Sequence, residues 1–224
     1  MDSAALYRLM AWLSPSYPVG AFSYSHGIEW LVEEGAIHDA ASLADWIEDL
    51  LSWGSGRNDA ILLAAAWRAA AKPSALPQIA MLASAFAASA ERAMETEAQG
   101  SAFSDVTRRT WESPTLDRLC EIHSLPVAYP VAVGIAAADH GIALPPVLRA
   151  YVHAFAANLV SAGLRLIPLG HSDGQRVLKR LEPAVEAACI AGETKDVSAL
   201  ASITIMADIA SMKHETQYTR LFRS

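Results

Sequence analysis

Apolar residues recur at helical spacing along most of the chain. Near its start, Leu6, Leu9, Met10 and Leu13 fall at positions i, i+3, i+4 and i+7, which places them on one face of a short helix. Alternating β-branched and aromatic runs bounded by hairpin dipeptides are absent. Alanine, the best helix former, makes up about a fifth of the residues. The pattern predicts an all-α fold.

Prolines and glycines divide the first half of the pattern into separate helices. Gly35 stands where a left-handed C-terminal cap is expected. Ser42 with Asp45 resembles a capping box, and Gly54 closes the helix that follows. The helices predicted here are residues 25–34, the one ending at Gly54, residues 59–71, and a long helix over residues 77–109 that could break at Gly100.

The second half is divided in the same way. Pro145 and Pro146 suit a helix start, and Asp173 is a good N-cap. The helices predicted here are a short one between Pro114 and Pro126, residues 127–140, one from Pro145 through Ile167, residues 173–181, one beginning at Pro183, and residues 198–212. Because several of these are apolar on more than one side, we expect one layered domain of roughly nine to eleven helices over residues 1–224. Residues 1–24 and 213–224 are candidates for an arm and a tail that order only in a complex.

The composition bounds the class of protein. Hydrophobic residues make up 53% of the 224 residues and charged residues 18%, with a mean hydropathy of +0.22. This is slightly more apolar than a typical soluble monomer, which fits either a membrane protein or a protein that buries surface against partners. The two most apolar windows, residues 73–90 and 150–164, contain prolines or polar residues, so they are better explained as buried helices. The start of the chain has no basic, signal-like segment, and we expect a cytoplasmic protein without a membrane partner.

Charge and cysteine content exclude further classes. The net charge of −7 and the lack of a Lys/Arg run argue against a nucleic-acid partner. Cys120 and Cys189 are far apart and form no CxxC motif, so both are interpreted as buried thiols. No phosphate-binding loop occurs, and we therefore expect no nucleotide hydrolysis by this chain alone.

The sequence contains only weak candidates for catalytic or metal-binding motifs. His214-Glu215 begins like a zinc-protease motif but has Tyr218 where the second His is required. The run His171-Ser172-Asp173 is better explained by Asp173 as a helix cap than as a triad. None of the seven histidines pairs with another at helical spacing, so no local metal site is predicted, although a His at a dimer axis could form one between subunits.

Two groups of charged residues are interpreted as solvent-exposed, and one further charged residue, Arg165, has two possible interpretations. Arg92, Glu95, Glu97 and Gln99 are interpreted as a solvated helix face with ordinary ion pairs. Asp45, Glu48 and Asp49 are interpreted in the same way. Arg165 lies in an apolar stretch, where an unpaired charge would be costly, so it is either paired inside the fold or placed at an interface.

Several segments together resemble one known family. Residues 14–29 read SPSYPVGAFSYSHGIE, which is similar to the opening signature of the urease accessory protein UreF, roughly SPxLPVGAFSYSxGLE. The Arg/Glu-rich residues 92–100, the middle blocks at residues 129–132, 166–170 and 173–175, and the ending at residues 208–224 also resemble this family, in the right order. Tyr17 replaces the usual Leu and Lys213 the frequent Arg.

The resemblance implies an all-α homodimer without a cofactor or a catalytic site. It also implies complexes with UreD (UreH in some bacteria), the GTPase UreG and urease apoprotein during nickel insertion. Aromatic and Arg side chains are common interface anchors, and packing of Phe22 and Tyr24 within the first loop is the alternative for those two. The predicted partner interface is Phe22, Tyr24, His26, Glu29, Arg165, His214, Glu215, Gln217, Tyr218, Arg220, Phe222 and Arg223.

Three alternatives to a scaffold stay open from the sequence. One is a chaperone that binds nickel directly. Another is a small helical hydrolase that uses a His–Asp pair. A third is a direct activator of the GTPase, with Arg220 or Arg165 as an arginine finger.

Overall fold

The computed structural model describes residues 2–123 and 126–223. This part of the chain contains eleven α-helices, three short 3-10 helices and no strand, which confirms the predicted all-α class. The α-helices are α1 (Ser3–Trp12), α2 (Ile28–Glu33), α3 (Ala40–Trp53), α4 (Ser55–Ala69), α5 (Leu76–Ala85), α6 (Ala90–Thr110), α7 (Pro114–Ile122), α8 (Tyr129–Asp139), α9 (Leu144–Leu166), α10 (His171–Thr194) and α11 (Ile205–His214). Four residues lie outside the described ranges: Met1 in the predicted arm, Ser224 in the predicted tail, and Ser124 and Leu125 in the stretch predicted as a helix between Pro114 and Pro126.

Helices α4 and α8 form the centre of the fold. Every residue of α8 from Pro130 to Ala137 is buried, as are the small and branched residues of α4 from Ala60 to Ala64. The two helices pack on each other, and α10, α3, α9 and α5 surround α4. Alanine-rich helices can approach closely because little side-chain volume separates their backbones. A single cluster of buried apolar residues therefore runs from α1 to α11.

Helix α9 belongs to the core of this domain. It packs on α10, α4 and α3. By length and apolar composition alone, it is the one helix in the described part of the chain that could cross a membrane, but half of its apolar window is buried inside the fold. A core helix passes the same test, so the observation is weak support for a membrane span.

Helix α6 stays continuous through Gly100, where the sequence allowed a break. A Cβ atom at Gly100 would lie 1.9 Å from the carbonyl oxygen of Val127 and 2.8 Å from the backbone nitrogen of Tyr129. This glycine therefore lets the segment leading into α8 pass directly over α6. The break lies earlier, between α5 and α6, because the Ser89 side chain accepts a hydrogen bond from the backbone of Arg92 and caps a new helix.

Predicted helix starts were wrong elsewhere as well, and α2 begins at Ile28 rather than at residue 25. The capping box consists of Asp39 and Ser42, so α3 begins at Ala40 rather than after Ser42. Helix α4 begins directly after Gly54, four residues before the predicted start at residue 59. Helix α11 begins at Ile205, because residues 197–199 form a separate 3-10 turn. The predicted left-handed cap at Gly35 is confirmed by its φ of +72°.

The two helices predicted around Pro183 are one, α10. Asp173 is its third residue and accepts a hydrogen bond from the backbone of Gly170 at 3.0 Å, so it closes the cap from inside the helix. Pro183 leaves the carbonyl of Lys179 without its helical donor. Residue Lys179 is exposed, so water can satisfy that oxygen.

Half of the predicted apolar face of α1 meets the core, because Leu9 is buried and Leu13 packs against the core. Leu6 and Met10 are exposed, whereas Ala5, Leu9 and Trp12 are buried. Trp12 turns the helix toward the core because its ring packs edge-on against two aromatic side chains, those of Phe103 and Trp111.

We expect Gly100→Ala to lower the free energy of unfolding by about 3 kcal/mol, because the new methyl group would overlap backbone atoms that cannot move independently. In an ordinary helix the same change would stabilise by about 1 kcal/mol. Chemical denaturation of both proteins measures the difference. Gly170→Ala is the matched control, since its nearest foreign atom is 3.5 Å away, and an equal loss in both variants would contradict the close-approach explanation.

Candidate partner-binding surface

The two ends of the chain meet on one side of the domain. The N-terminal loop (residues 20–27) leads into α2, and the C-terminal segment (residues 215–223) crosses back over it after α11. The backbone N–H of Arg223 donates to the carbonyl of Ser23 at 2.7 Å. Gly27 has a φ of +77°, and a Cβ there would lie 2.9 Å from that of Ala210, so this glycine allows α11 to pack against the start of α2.

Glu29 holds the C-terminal segment in place. Its carboxylate is almost fully buried and accepts hydrogen bonds from the backbone N–H groups of Leu221 at 2.6 Å and Phe222 at 2.9 Å. The Nε2 atom of His214 lies 3.0 Å from the same carboxylate. A buried carboxylate needs such donors, because desolvation of an unpaired charge is costly.

His214 joins Glu29 to a second buried carboxylate. The His214 side chain is fully buried, and its Nδ1 atom lies 2.9 Å from an oxygen of Glu91 on α6. Arg220, from the C-terminal segment, donates to Glu91 at 3.2 Å. Burial raises the pKa of Glu91, while the contacts with His214 and Arg220 oppose that rise. We refer to Glu29, Glu91, His214 and Arg220 as the tail cluster.

Arg165 adds a third link between the ends. Its guanidinium donates to the carbonyl of Phe22 at 2.7 Å and lies 4.2 Å from the ring centroid of the buried Phe222. A cation over an aromatic face is attractive. Tyr24 is also buried; burial raises the pKa of its hydroxyl, and a hydrogen bond with Arg223 opposes the rise.

The twelve residues predicted at a partner interface fall into two groups. Five are buried within the isolated chain: Tyr24, His26, Glu29, His214 and Phe222. The others are exposed or half-buried: Phe22, Arg165, Glu215, Gln217, Tyr218, Arg220 and Arg223. Tyr218 is fully exposed and Phe22 is 65% exposed, which is unusual for aromatic side chains. The structure thus brings these residues to one region, but only the second group can touch another molecule directly.

A second buried polar group lies beside the N-terminal loop and corrects the interpretation of α6. Glu95 and Gln99 were predicted on a solvated face, but they are 3% and 6% exposed. Gln99 donates to Glu95 at 2.9 Å, and Arg92 pairs with Glu95. The prediction failed because α6 is covered along this face. In contrast, Asp45, Glu48 and Asp49 are exposed, as predicted.

His26 takes part in this second group. Its Nε2 atom lies 2.7 Å from both a carboxylate oxygen of Glu95 and a guanidinium nitrogen of Arg92. Burial lowers the pKa of His26, and the Arg92 charge lowers it further. Its backbone has a φ of +53°, a conformation that a residue other than glycine seldom adopts. His26 therefore serves as a fixed, neutral element of the fold at neutral pH.

A cavity of about 250 Å³ lies next to this group. Asp59 and Tyr151 both line it, and the Tyr151 hydroxyl donates to Asp59 at 2.9 Å. Desolvation raises the pKa of Asp59 to about 6, while the charge of Arg92 opposes the shift. Burial also raises the pKa values of Tyr129 and Tyr151, so these phenols stay protonated.

Asp59 and Glu91 were not among the functional residues predicted from the sequence. A signal for Glu91 was present, because Glu91, Glu95, Gln99, Phe103 and Thr107 recur every fourth residue and are all buried on α6. Polar residues in line with a buried Phe indicate a covered helix face. For Asp59 no comparable pattern exists, since its partner Tyr151 is 92 residues away.

Over residues 2–123 and 126–223, no group of three His, Cys, Asp or Glu side chains is arranged to hold a metal ion. His171, Ser172 and Asp173 form the first turn of α10 rather than a triad, and Asp173 pairs with Arg176. Cys120 and Cys189 are free thiols, half-buried and buried respectively. The geometry is that of two buried polar networks supporting an aromatic and basic surface.

Comparison with known proteins identifies the family. A family model described as UreF matches residues 37–182. The chain is 53% identical over 225 residues to the urease accessory protein UreF of Bradyrhizobium diazoefficiens, an alignment that covers 100% of this chain and 93% of that protein. This chain belongs to the UreF family. UreF proteins of Rhodopseudomonas palustris strains TIE-1 and BisB5 are 51% and 53% identical over 225 residues, covering 100% of this chain and 94% and 93% of theirs.

Membership in the UreF family extends to both ends that form the surface. The matched family model stops before α11, but the alignments with the full-length UreF relatives cover the whole chain. The N-terminal loop and the C-terminal segment, which carried the resemblance in sequence, are the two segments that meet in space. In this UreF-family chain, the candidate partner-binding surface is therefore built from the N-terminal and C-terminal segments whose sequences first indicated the family.

We expect Asp59→Asn to raise the free energy of unfolding near pH 7.5 but to change it little near pH 4. A raised pKa in the folded state means that wild type loses stability as pH rises through about 6. An amide avoids this loss and still accepts from Tyr151. We expect a gain of about 1–2 kcal/mol, less than the full linkage value because the residue is only half-buried.

Urea denaturation at both pH values measures the effect. Asp105→Asn is the matched control, because it removes an exposed carboxylate from the same domain. Identical pH profiles for wild type and Asp59→Asn would contradict the assignment.

Proposed function

We propose that this UreF-family chain is a non-catalytic urease maturation factor. It acts as a homodimeric scaffold that joins UreD/UreH and the GTPase UreG to urease apoprotein and modulates GTP-dependent nickel insertion. Membership in the family supports a role in urease maturation, and the relatives' name, accessory protein, implies a role other than catalysis. The individual partners and the scaffold role are the proposal.

The observation that carries the proposal is the surface made by the two chain ends. It presents Phe22 and Tyr218 to solvent beside Arg220 and Arg223, while networks of buried hydrogen bonds hold the backbone beneath. Exposed aromatic and Arg side chains on a fixed backbone are typical of interface anchors, because little conformational entropy is lost when they bind. We assign this surface to UreD/UreH.

The buried and exposed residues have different tasks in this proposal. Phe22, Tyr218 and Arg223 contact the partner. Tyr24, His26, Glu29, His214 and Phe222 hold the contacting segments and do not touch it. Arg165 and Arg220 already bind Phe222 and Glu91 within the chain, which favours a structural role for both over an arginine finger.

We expect Tyr218→Ala to weaken binding of UreD by about tenfold or more without changing the melting temperature, because the side chain has no packing role in the isolated chain. Isothermal titration with purified UreD measures the affinity. Tyr7→Ala is the matched control, since Tyr7 is 68% exposed on α1 and belongs to neither the N-terminal loop nor the C-terminal segment. Equal affinities for wild type and Tyr218→Ala would remove Tyr218 from the interface.

The scaffold role has a broader test. Co-expression with UreD and UreG, followed by size exclusion with mass determination, is expected to give a ternary complex with two copies of each protein. A monomer that binds neither UreD nor UreG would contradict the proposal. Equilibrium dialysis of the isolated chain with Ni²⁺ separates the alternative, because tight stoichiometric binding would indicate a nickel chaperone instead.

A further inference from the structure

The contacts of the tail cluster call for one more proton than a neutral imidazole and two ionised carboxylates hold. Both ring nitrogens of His214 face carboxylates, Nδ1 toward Glu91 at 2.9 Å and Nε2 toward Glu29 at 3.0 Å. An ionised carboxylate only accepts hydrogen bonds, and a neutral imidazole has a single N–H. Both contacts can be hydrogen bonds only if an additional proton is present, either as the imidazolium of His214 or on one carboxyl group.

We propose that this shared proton fastens the C-terminal segment to the body of the protein, and that the segment is released when the proton is lost. Glu29, Glu91 and His214 are then positioning residues for the surface that contains Tyr218 and Arg220, although none of the three touches a partner. The consequence for partner binding rests on the function proposed above, whereas the docking of the segment does not.

The cost of losing the proton follows from the contacts. Without it, one ring nitrogen of His214 becomes an acceptor that faces a carboxylate about 3 Å away, with no bulk water between them. Glu29 also accepts hydrogen bonds from the backbone N–H groups of Leu221 and Phe222. Repulsion between His214 and the Glu29 carboxylate would therefore disturb the bonds that hold the C-terminal segment.

The charged groups around His214 come from three elements. Glu29 faces it from α2 and Glu91 from α6, while Arg220 reaches Glu91 from the C-terminal segment. The negative charge of Glu215 also raises the pKa of Glu91 and so favours its protonated form. Burial raises the pKa of Glu91. The stability that protonated Glu91 gives the folded state is therefore present at low pH and is lost as pH rises. The direction agrees with release of the segment at alkaline pH.

Hydrogen–deuterium exchange of the full-length protein tests the proposal through the amides of Leu221 and Phe222. Protection is the intrinsic exchange rate of each amide at a given pH divided by its measured rate. For wild type, we expect it to fall by about tenfold or more between about pH 6 and about pH 9. Amides within α4 report the stability of the core in the same experiment.

Two variants separate the shared proton from simple packing. In Glu91→Gln, the amide can donate to Nδ1 of a neutral His214 and accept from Arg220, so we expect the segment to stay protected, with less than about a twofold change over the same range. In His214→Gln, a single amide cannot donate to both carboxylates as the ring does, so one of them lacks a donor at every pH, and we expect low protection with a flat profile. Glu182→Gln, on the exposed side of α10, is the control and keeps the wild-type profile.

The outcomes are distinct. A flat wild-type profile, or loss of protection in Glu91→Gln at every pH, would overturn the proposal and leave the cluster a packing role only. UreD affinity is measured over the same pH range. If protection follows the prediction but affinity does not, the docking inference stands and the assignment of this surface to UreD fails.

Discussion

Glu29 and Glu91 are two carboxylates that the fold removes from water, and the region around them is organised to supply their donors. A buried carboxylate without partners destabilises a protein by several kcal/mol, whereas one with charge-assisted hydrogen bonds can be tolerated. Among the described residues, the donors to these two groups come from the last part of the chain: the His214 ring, the Arg220 guanidinium and two backbone N–H groups. Removing the C-terminal segment would therefore do more than shorten the protein, since it would take the Arg220 and backbone donors away from two buried carboxylates and leave them only the His214 ring.

Helix α6 links this requirement to the rest of the molecule. Glu91 meets the tail cluster near its start, Glu95 and Gln99 meet the His26 group in its middle, and Phe103 packs with Trp12 further on. Gly100 keeps the helix close to the segment before α8, which belongs to the central pair of helices. The surface at the chain ends is thus fixed to the core through one continuous helix rather than through flexible loops.

This architecture suits the scaffold role proposed above. A scaffold needs contact side chains in a defined position, and rigid support lowers the entropy lost on binding. The exposed Phe22 and Tyr218 occupy two segments that are far apart in sequence and are tied by the backbone hydrogen bond from Arg223 to Ser23 and by Arg165. A surface of this kind forms only when both ends are docked, so any condition that loosens one end changes the whole surface.

The sequence alone determined the helical class, the position of most helix ends and the family. Helical periodicity, alanine content and proline or glycine positions are local properties, so they were readable without a structure. Two errors arose where a distant contact decided the structure: Gly100 allows another backbone to pass over α6 instead of breaking the helix, and Trp12 turns α1 toward Phe103. Pro183 lies inside α10 beside a carbonyl that water can reach.

The buried networks were decided only by the tertiary structure. Glu95 and Gln99 look like any polar helix face until α6 is seen to be covered, and Asp59 has a raised pKa only because folding removes it from water. His214 is separated by 123 residues from Glu91 and by 185 from Glu29. Burial and long-range pairing depend on how the helices pack, and one sequence by itself does not record that packing. The sequence could therefore name the family and the segments that form the surface, while the contacts that join those segments required the fold.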